Sequence, residues 1–226
     1  MAVMRILAFL FAAAALNCAA APFTVRLGIE RIVLDTPAGF TDTIELASPR
    51  LQDLAETLTS ASNRILLFAL SDADMRRFMN GDQLEWQRYM IAVTPKGLEH
   101  SRVNAEQFAA LVSDSLRDLG QPVVAPDIIK FLDEQPVGRL NLVAELKKEA
   151  ATVSVLQATR LPPLPGANMF DGKKPQYLFS TTTIFLIRGK AMQLTVYAIF
   201  QGPGDVDWLR SITQRWMDEL LRLNPR

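Results

Sequence analysis

The chain has 226 residues, with 24 Lys and Arg against 24 Asp and Glu, a single His and a single Cys. Balanced charge creates no field that would draw nucleic acid or anionic lipid, and so few His and Cys cannot supply an ordinary zinc site. Beyond the N-terminus no apolar run approaches the length needed to span a bilayer, and no fixed period repeats.

The N-terminus reads as a secretory signal. Arg5 is followed by an apolar run, Ile6 to Leu16, and then by the small residues Cys18, Ala19, Ala20 and Ala21. The run is too short for a transmembrane helix. Cleavage after Ala20 divides the chain into a signal peptide, 1–20, and one domain, 21–226. An uncleaved anchor is one alternative. Lipidation of Cys18 is another, although Asn17 is a poor residue directly before an acylated cysteine. Removing Arg5 with the signal leaves 23 basic and 24 acidic side chains in a mature chain without cysteine. Disulfides are then excluded even in an oxidising compartment. The expected location is the periplasm of a Gram-negative bacterium, or the medium.

Thr24 to Leu34 is expected to be one strand, bent at Gly28. Thr36 to Phe40 is a turn punctuated by Pro37 and Gly39, and Thr41 to Leu46 returns as a hairpin partner. Ser48 caps a helix that has Pro49 in its first position and runs to about Asn63. Arg64 to Leu70 is a buried strand. Ser71-Asp72-Ala73-Asp74 caps a short helix through Met79, and Asn80-Gly81-Asp82 turns the chain. Trp86 to Val93 alternates, with Trp86, Arg88, Met90 and Ala92 on one face. Asn104 and Gln107 form a capping box ahead of the stripe Phe108, Leu111, Val112, Ser115, Leu116 and Leu119, which Gly120 stops. A shorter helix covers Pro126 to Asp133.

The last third is strand-rich. Val137 to Leu146 and Ala151 to Thr159 precede a Pro/Gly loop, Arg160 to Lys174. Tyr177 to Ile187 and Ala191 to Phe200 form a hairpin around Arg188-Gly189-Lys190. Gly202 to Asp205 breaks the chain before a helix over Val206 to Leu223, with Leu209, Ile212, Trp216, Leu220 and Leu223 facing inward. Strands in hairpin-like runs, without regular strand–helix alternation, predict an α+β fold: a central antiparallel sheet flanked by helices.

The turn Pro37-Ala38-Gly39-Phe40 after the first strand, together with a closing hairpin Tyr177–Phe200 and the helix Val206–Leu223, resembles the PsbP-like and DcrB-like proteins. The resemblance implies an α/β/α sandwich and an exported accessory role without shared catalytic residues.

No nucleophile–base pair, metal cluster or nucleotide loop can be named. His100 stands alone before a helix, and no Gly-x-Ser-x-Gly elbow exists. Asp72-Ala73-Asp74 starts like a calcium loop, but Arg76 and Arg77 fall where a ligand and the glycine are needed, so a helix N-terminus is expected. The expected function is a non-catalytic binding or accessory protein that contacts a protein or a small apolar ligand, with no cofactor and no nucleic acid. Its candidate contact residues are Met169, Phe170, Lys173 and Lys174 in the Pro/Gly loop, and Trp208, about 80° from Trp216 on the helical wheel and so at the rim of the buried stripe. The alternative is a hydrolase that pairs carboxylates such as Asp42, Glu45, Asp72 or Asp74.

Overall fold

A computed structural model describes residues 21–125, 127–162 and 175–225. The predicted signal peptide and the contact residues Met169, Phe170, Lys173 and Lys174 lie outside the described residues.

Among the described residues seven strands make one antiparallel sheet: β3 (Phe40–Asp42), β4 (Asn63–Ser71), β5 (Arg88–Pro95), β6 (Asn141–Glu149), β7 (Thr152–Arg160), β8 (Tyr177–Ile187) and β9 (Lys190–Ile199), in the order β3-β4-β5-β9-β8-β7-β6. Two further strands, β1 (Phe23–Leu27) and β2 (Glu30–Leu34), form a separate hairpin. Among the described residues five α-helices pack with these strands: α1 (Pro49–Thr57), α2 (Asp72–Met79), α3 (Ala105–Leu116), α4 (Ile128–Asp133) and α5 (Pro203–Leu223).

The alternation of β5, β8 and β9 sends large apolar side chains to both faces, so both faces need cover. On one face Met90, Leu194, Val196, Phe179, Phe185 and Leu156 pack against Leu209, Ile212, Trp216 and Leu220 of α5, Leu132 of α4, and Leu27, Ile32 and Leu34 of the hairpin. On the other face Phe68, Leu70, Tyr89, Ile91 and Val93 meet Leu51 and Ala55 of α1 and Met75 of α2. Phe108 of α3 covers Ile184 and Ala191 farther along that face. Each such apolar side chain stabilises the fold by about 1.5–3 kcal/mol relative to exposure. The result is an α+β sheet with helices on both sides.

The successive threonines at 181–183 show the alternation directly. Thr181 bonds Thr213 of α5 on one face, Thr183 bonds Ser154 on that same face at 2.8 Å, and Thr182 points the other way. Both sheet edges resist pairing with other chains: β3 is very short, and β6 has register shifts and carries Glu145, Lys147, Lys148 and Glu149.

The structure corrects several expectations. Thr24 to Leu34 is not one bent strand. Gly28, with φ +59°, folds it into the β1–β2 hairpin at a two-residue turn, which leaves Ile29 exposed at the tip. The strand after the Pro37–Gly39 turn spans only Phe40–Asp42 and pairs with β4, not with the first strand. α1 ends at Thr57, since Leu58 is already its cap. β6 starts four residues later than Val137. Trp86 precedes β5 with φ +57°, which breaks the alternation and sets its ring edge-on to Tyr89, on the face opposite Met90. α5 starts at Pro203 because the Asp205 carboxylate accepts the Gln201 and Gly202 N–H groups and caps the helix earlier. The capping box of Asn104 and Gln107 forms as expected, at 2.9 and 3.0 Å.

Candidate functional site

Leu34 ends β2 with its side chain in the core, and the chain then passes beside Ile212 and Trp216 of α5 on its way to β3. Asp35 bonds the next amide, Thr36, at 2.8 Å, and Phe40 N–H closes the turn on Pro37 O at 3.2 Å. Gly39, at φ +90°, supplies the conformation that this turn demands of its third residue. Trp216 then ties the turn to the helix, its Nε1–H donating to Asp35 O at 2.8 Å. Between turn and helix lies an open groove of about 450 Å³. Pro37, Ala38, Ile212 and Trp216 form its apolar wall, and Asp35, Arg215, Asp218, Glu219 and Arg222 its rim.

The rim charges are unequal in their surroundings. Burial pushes the Asp35 carboxyl above the ordinary carboxylate range. The Thr36 N–H opposes this, Glu219 adds to it, and Arg222 opposes it again. Arg222 and Glu219 form an exposed pair one turn apart; the Arg222 guanidinium holds Glu219 below its ordinary range, and Glu219 raises Arg222. Arg215 is exposed and has no ion-pair partner among the described residues.

One helical turn beyond the groove stands Trp208, half-buried at the rim as its place on the wheel predicts. Phe40 stacks on it at 6.1 Å between ring centroids, and the Arg88 guanidinium lies 4.1 Å from the ring centroid. Arg88 also pairs with Asp205 at 3.0 Å. The indole is thus held by its neighbours, and binding would cost it little rotamer entropy. Burial pushes Asp205 up, but the Gln201 N–H, the Arg88 guanidinium and the Gly202 N–H outweigh that and hold it below the ordinary carboxylate range. A folded pKa below the unfolded one stabilises the fold above the unfolded value, and the gain disappears as pH falls through the folded value. Asp205→Asn therefore costs about 1–2 kcal/mol in urea unfolding at neutral pH and less at an acid pH below the ordinary carboxylate range. An equal cost at both pH values would count against the charged cap.

The carboxylates of the hydrolase alternative are not gathered into one cavity. Asp42 accepts the Ile44 and Phe68 N–H groups at 3.2 and 3.3 Å. Asp74 accepts the Glu85 N–H at 2.7 Å, and Asp72 accepts the Thr41 hydroxyl at 2.9 Å. Of these three, Asp72 alone lines the cavity beside α2, with Met75, Arg76 and Met79. The Glu45 side chain lies outside the described residues. The apparent calcium motif is a helix start, with Ser71 Oγ accepting the Asp74 N–H at 3.1 Å. His100 is exposed, and Lys147 and Lys148 pair with Glu149 and Glu145. Among the described residues no group of three or more His, Cys, Asp or Glu could hold a metal, and no helix is long and apolar enough to cross a membrane.

No protein-family model matches the chain, and no characterised protein matches it in sequence. Among solved structures it is similar to the Ran-binding protein Mog1p of Saccharomyces cerevisiae. The superposition covers 90% of this chain and 92% of that one, at 11% identity and a TM-score of 0.35. A likeness that loose says nothing about what this chain binds.

Of the residues singled out in the sequence, the structure brings Trp208 to this region. It adds Asp35, Arg88, Asp205, Arg215 and Arg222. Part of that was available in the pattern: Ile212, Arg215, Trp216, Glu219 and Arg222 recur at helical spacing along one flank of α5. The approach of Asp35 and Arg88 to that flank was not, because it depends on contacts more than a hundred residues apart in the chain.

Proposed function

We propose that this chain is an exported, non-catalytic binding protein, an accessory protein of the PsbP-like or DcrB-like kind, and that it holds a segment of a partner protein in the groove between α5 and the 35–40 turn. The observation that carries this reading is the groove itself, an apolar wall with both signs of charge on its rim, fixed by the Trp216–Asp35 bond. Arg215 is the rim cation left to pair with a partner carboxylate. A mixed-charge rim around an apolar floor suits a peptide segment better than a uniformly apolar ligand.

The test is site-specific photo-crosslinking in the native host. A photoreactive residue at Ala38 is expected to give one discrete protein adduct, and Arg215→Glu is expected to reduce it several-fold. The same residue at Glu106, exposed on α3, gives none. No adduct at Ala38, or the same adducts from both positions, would sink the groove. Export is read separately: the intact mass of the periplasmic protein should begin at Ala21, and a full-length cytoplasmic chain overturns that part.

A further inference from the structure

The β8–β9 connection is a two-residue turn, closed by Ile187 opposite Lys190, with φ +51° at Arg188 and +75° at Gly189. Asn, Asp or Gly ordinarily occupies the first of these positions, because a side chain at positive φ crowds its own backbone. An arginine there is strained, and such strain is characteristically retained at functional sites. The strained backbone aims the Arg188 side chain back over β2, where Nη1–H donates to Arg31 O at 3.0 Å.

A second arginine is fixed beside it. The Val103 N–H bonds Gly189 O at 2.8 Å, which lays Arg102 across the turn. The stem lies so close that a β-carbon on Gly189 would stand 2.7 Å from Arg102 Cγ. Both arginines line a cavity of about 400 Å³, away from the groove proposed above. Glu30 and Glu149 line it as well, over a floor that includes Ile187 and Thr152. The opposite charges do not neutralise one another across the cavity. Among the described residues neither Arg102 nor Arg188 has a carboxylate within ion-pair distance and Glu30 has no cation, while Glu149 pairs with Lys147 at 3.3 Å.

We infer that this cavity binds a small zwitterion, with a carboxylate held by the Arg102 and Arg188 guanidiniums and an ammonium group held near Glu30 and Glu149. The chemical class is an α-amino carboxylate, either a free amino acid or a short peptide with both termini free. The volume lies at the small end of ligand-pocket sizes, which suits one or two residues. Arginine forks match a carboxylate bidentately, and a ligand bearing both charges neutralises what the cavity walls leave open.

Calorimetric titration of the mature protein with glycine and with glycylglycine tests this and separates the two sources. At least one is expected to bind at low ionic strength, and N-acetylated or C-amidated forms of the binder should bind at least tenfold more weakly. Arg102→Ala and Glu30→Gln should each cost tenfold or more, whereas Arg210→Ala on the outer face of α5 changes nothing; circular dichroism checks that each variant is folded. No heat with either ligand up to the millimolar range overturns the inference, as does equal binding of the capped forms. The capped-ligand comparison uses the unmodified protein, so a variant that fails to fold does not blunt it.

Discussion

Trp216→Ala is expected to lower the unfolding free energy by about 3–5 kcal/mol, the range for removing a large aromatic from a core. The side chain is 2% exposed and belongs to the cluster that joins α5 to β8, β9 and the β1–β2 hairpin. Ile212 and Leu220, four residues to either side, pack into the same cluster, so the gap cannot close by a small shift of the helix without unseating them. Trp216→Phe separates the two contributions. It keeps most of the ring volume and loses the Nε1–H bond to Asp35 O, worth about 1 kcal/mol. Urea unfolding of both variants is the measurement. An alanine variant within 1 kcal/mol of the parent would contradict the packing described here. If the groove is the docking site, the phenylalanine variant also loses crosslinking at Ala38 while remaining folded, because the 35–40 turn is no longer tied to the helix.

Asn224→Ala is expected to cost about 2–4 kcal/mol, a large loss for so small a deletion. Asn224 stands just past the last turn of α5 and is 4% exposed. Its side-chain amide behaves like the backbone of a further strand: Oδ1 accepts the Val33 N–H at 2.9 Å, and Nδ2 donates to Val33 O at 2.7 Å. Nδ2 also donates to Leu220 O at 2.9 Å, the same carbonyl that accepts the Asn224 backbone N–H at 3.2 Å. Alanine would leave the Val33 groups part-buried and unpaired, and that unpaired state, more than the bonds themselves, sets the cost. Urea unfolding gives the magnitude. Amide exchange gives the location, with protection at Val33 expected to fall at least tenfold. Unchanged protection at Val33 would mean that the amide is not paired as described.

The two variants probe links that the sequence represents very unevenly. Trp216 lies in a 3.6-residue stripe with Leu209, Ile212 and Leu220, and its burial follows from that periodicity. Asn224 gives no comparable signal. An Asn after a helix reads as an ordinary cap, and nothing local says that its amide will reach β2, 191 residues away. Arg88 and Asp205 illustrate the same limit, since their pairing also spans more than a hundred residues. Misplaced boundaries have the same long-range cause. Gly28 was legible as a bend, but the full reversal into a hairpin needed Leu27, Ile32 and Leu34 to reach the α5 core together, which a single extended strand would prevent.

Patterns of short range were sufficient for the class of the fold. Alternation in β5, β8 and β9, the capping box at Asn104, the cap at Ser71 and the apolar stripe of α5 are written within a few residues each, because dihedral preference, capping and amphipathicity are local physics. The turn at Arg188-Gly189 was equally visible as a turn. Its meaning was not, since the positive φ of an arginine and the packing of Arg102 across Gly189 exist only once β8 and β9 are paired. Both cavities arise in the same way. Each is a space between elements distant in the chain, and the charges on its rim acquire or lose partners only when the core has set the distances.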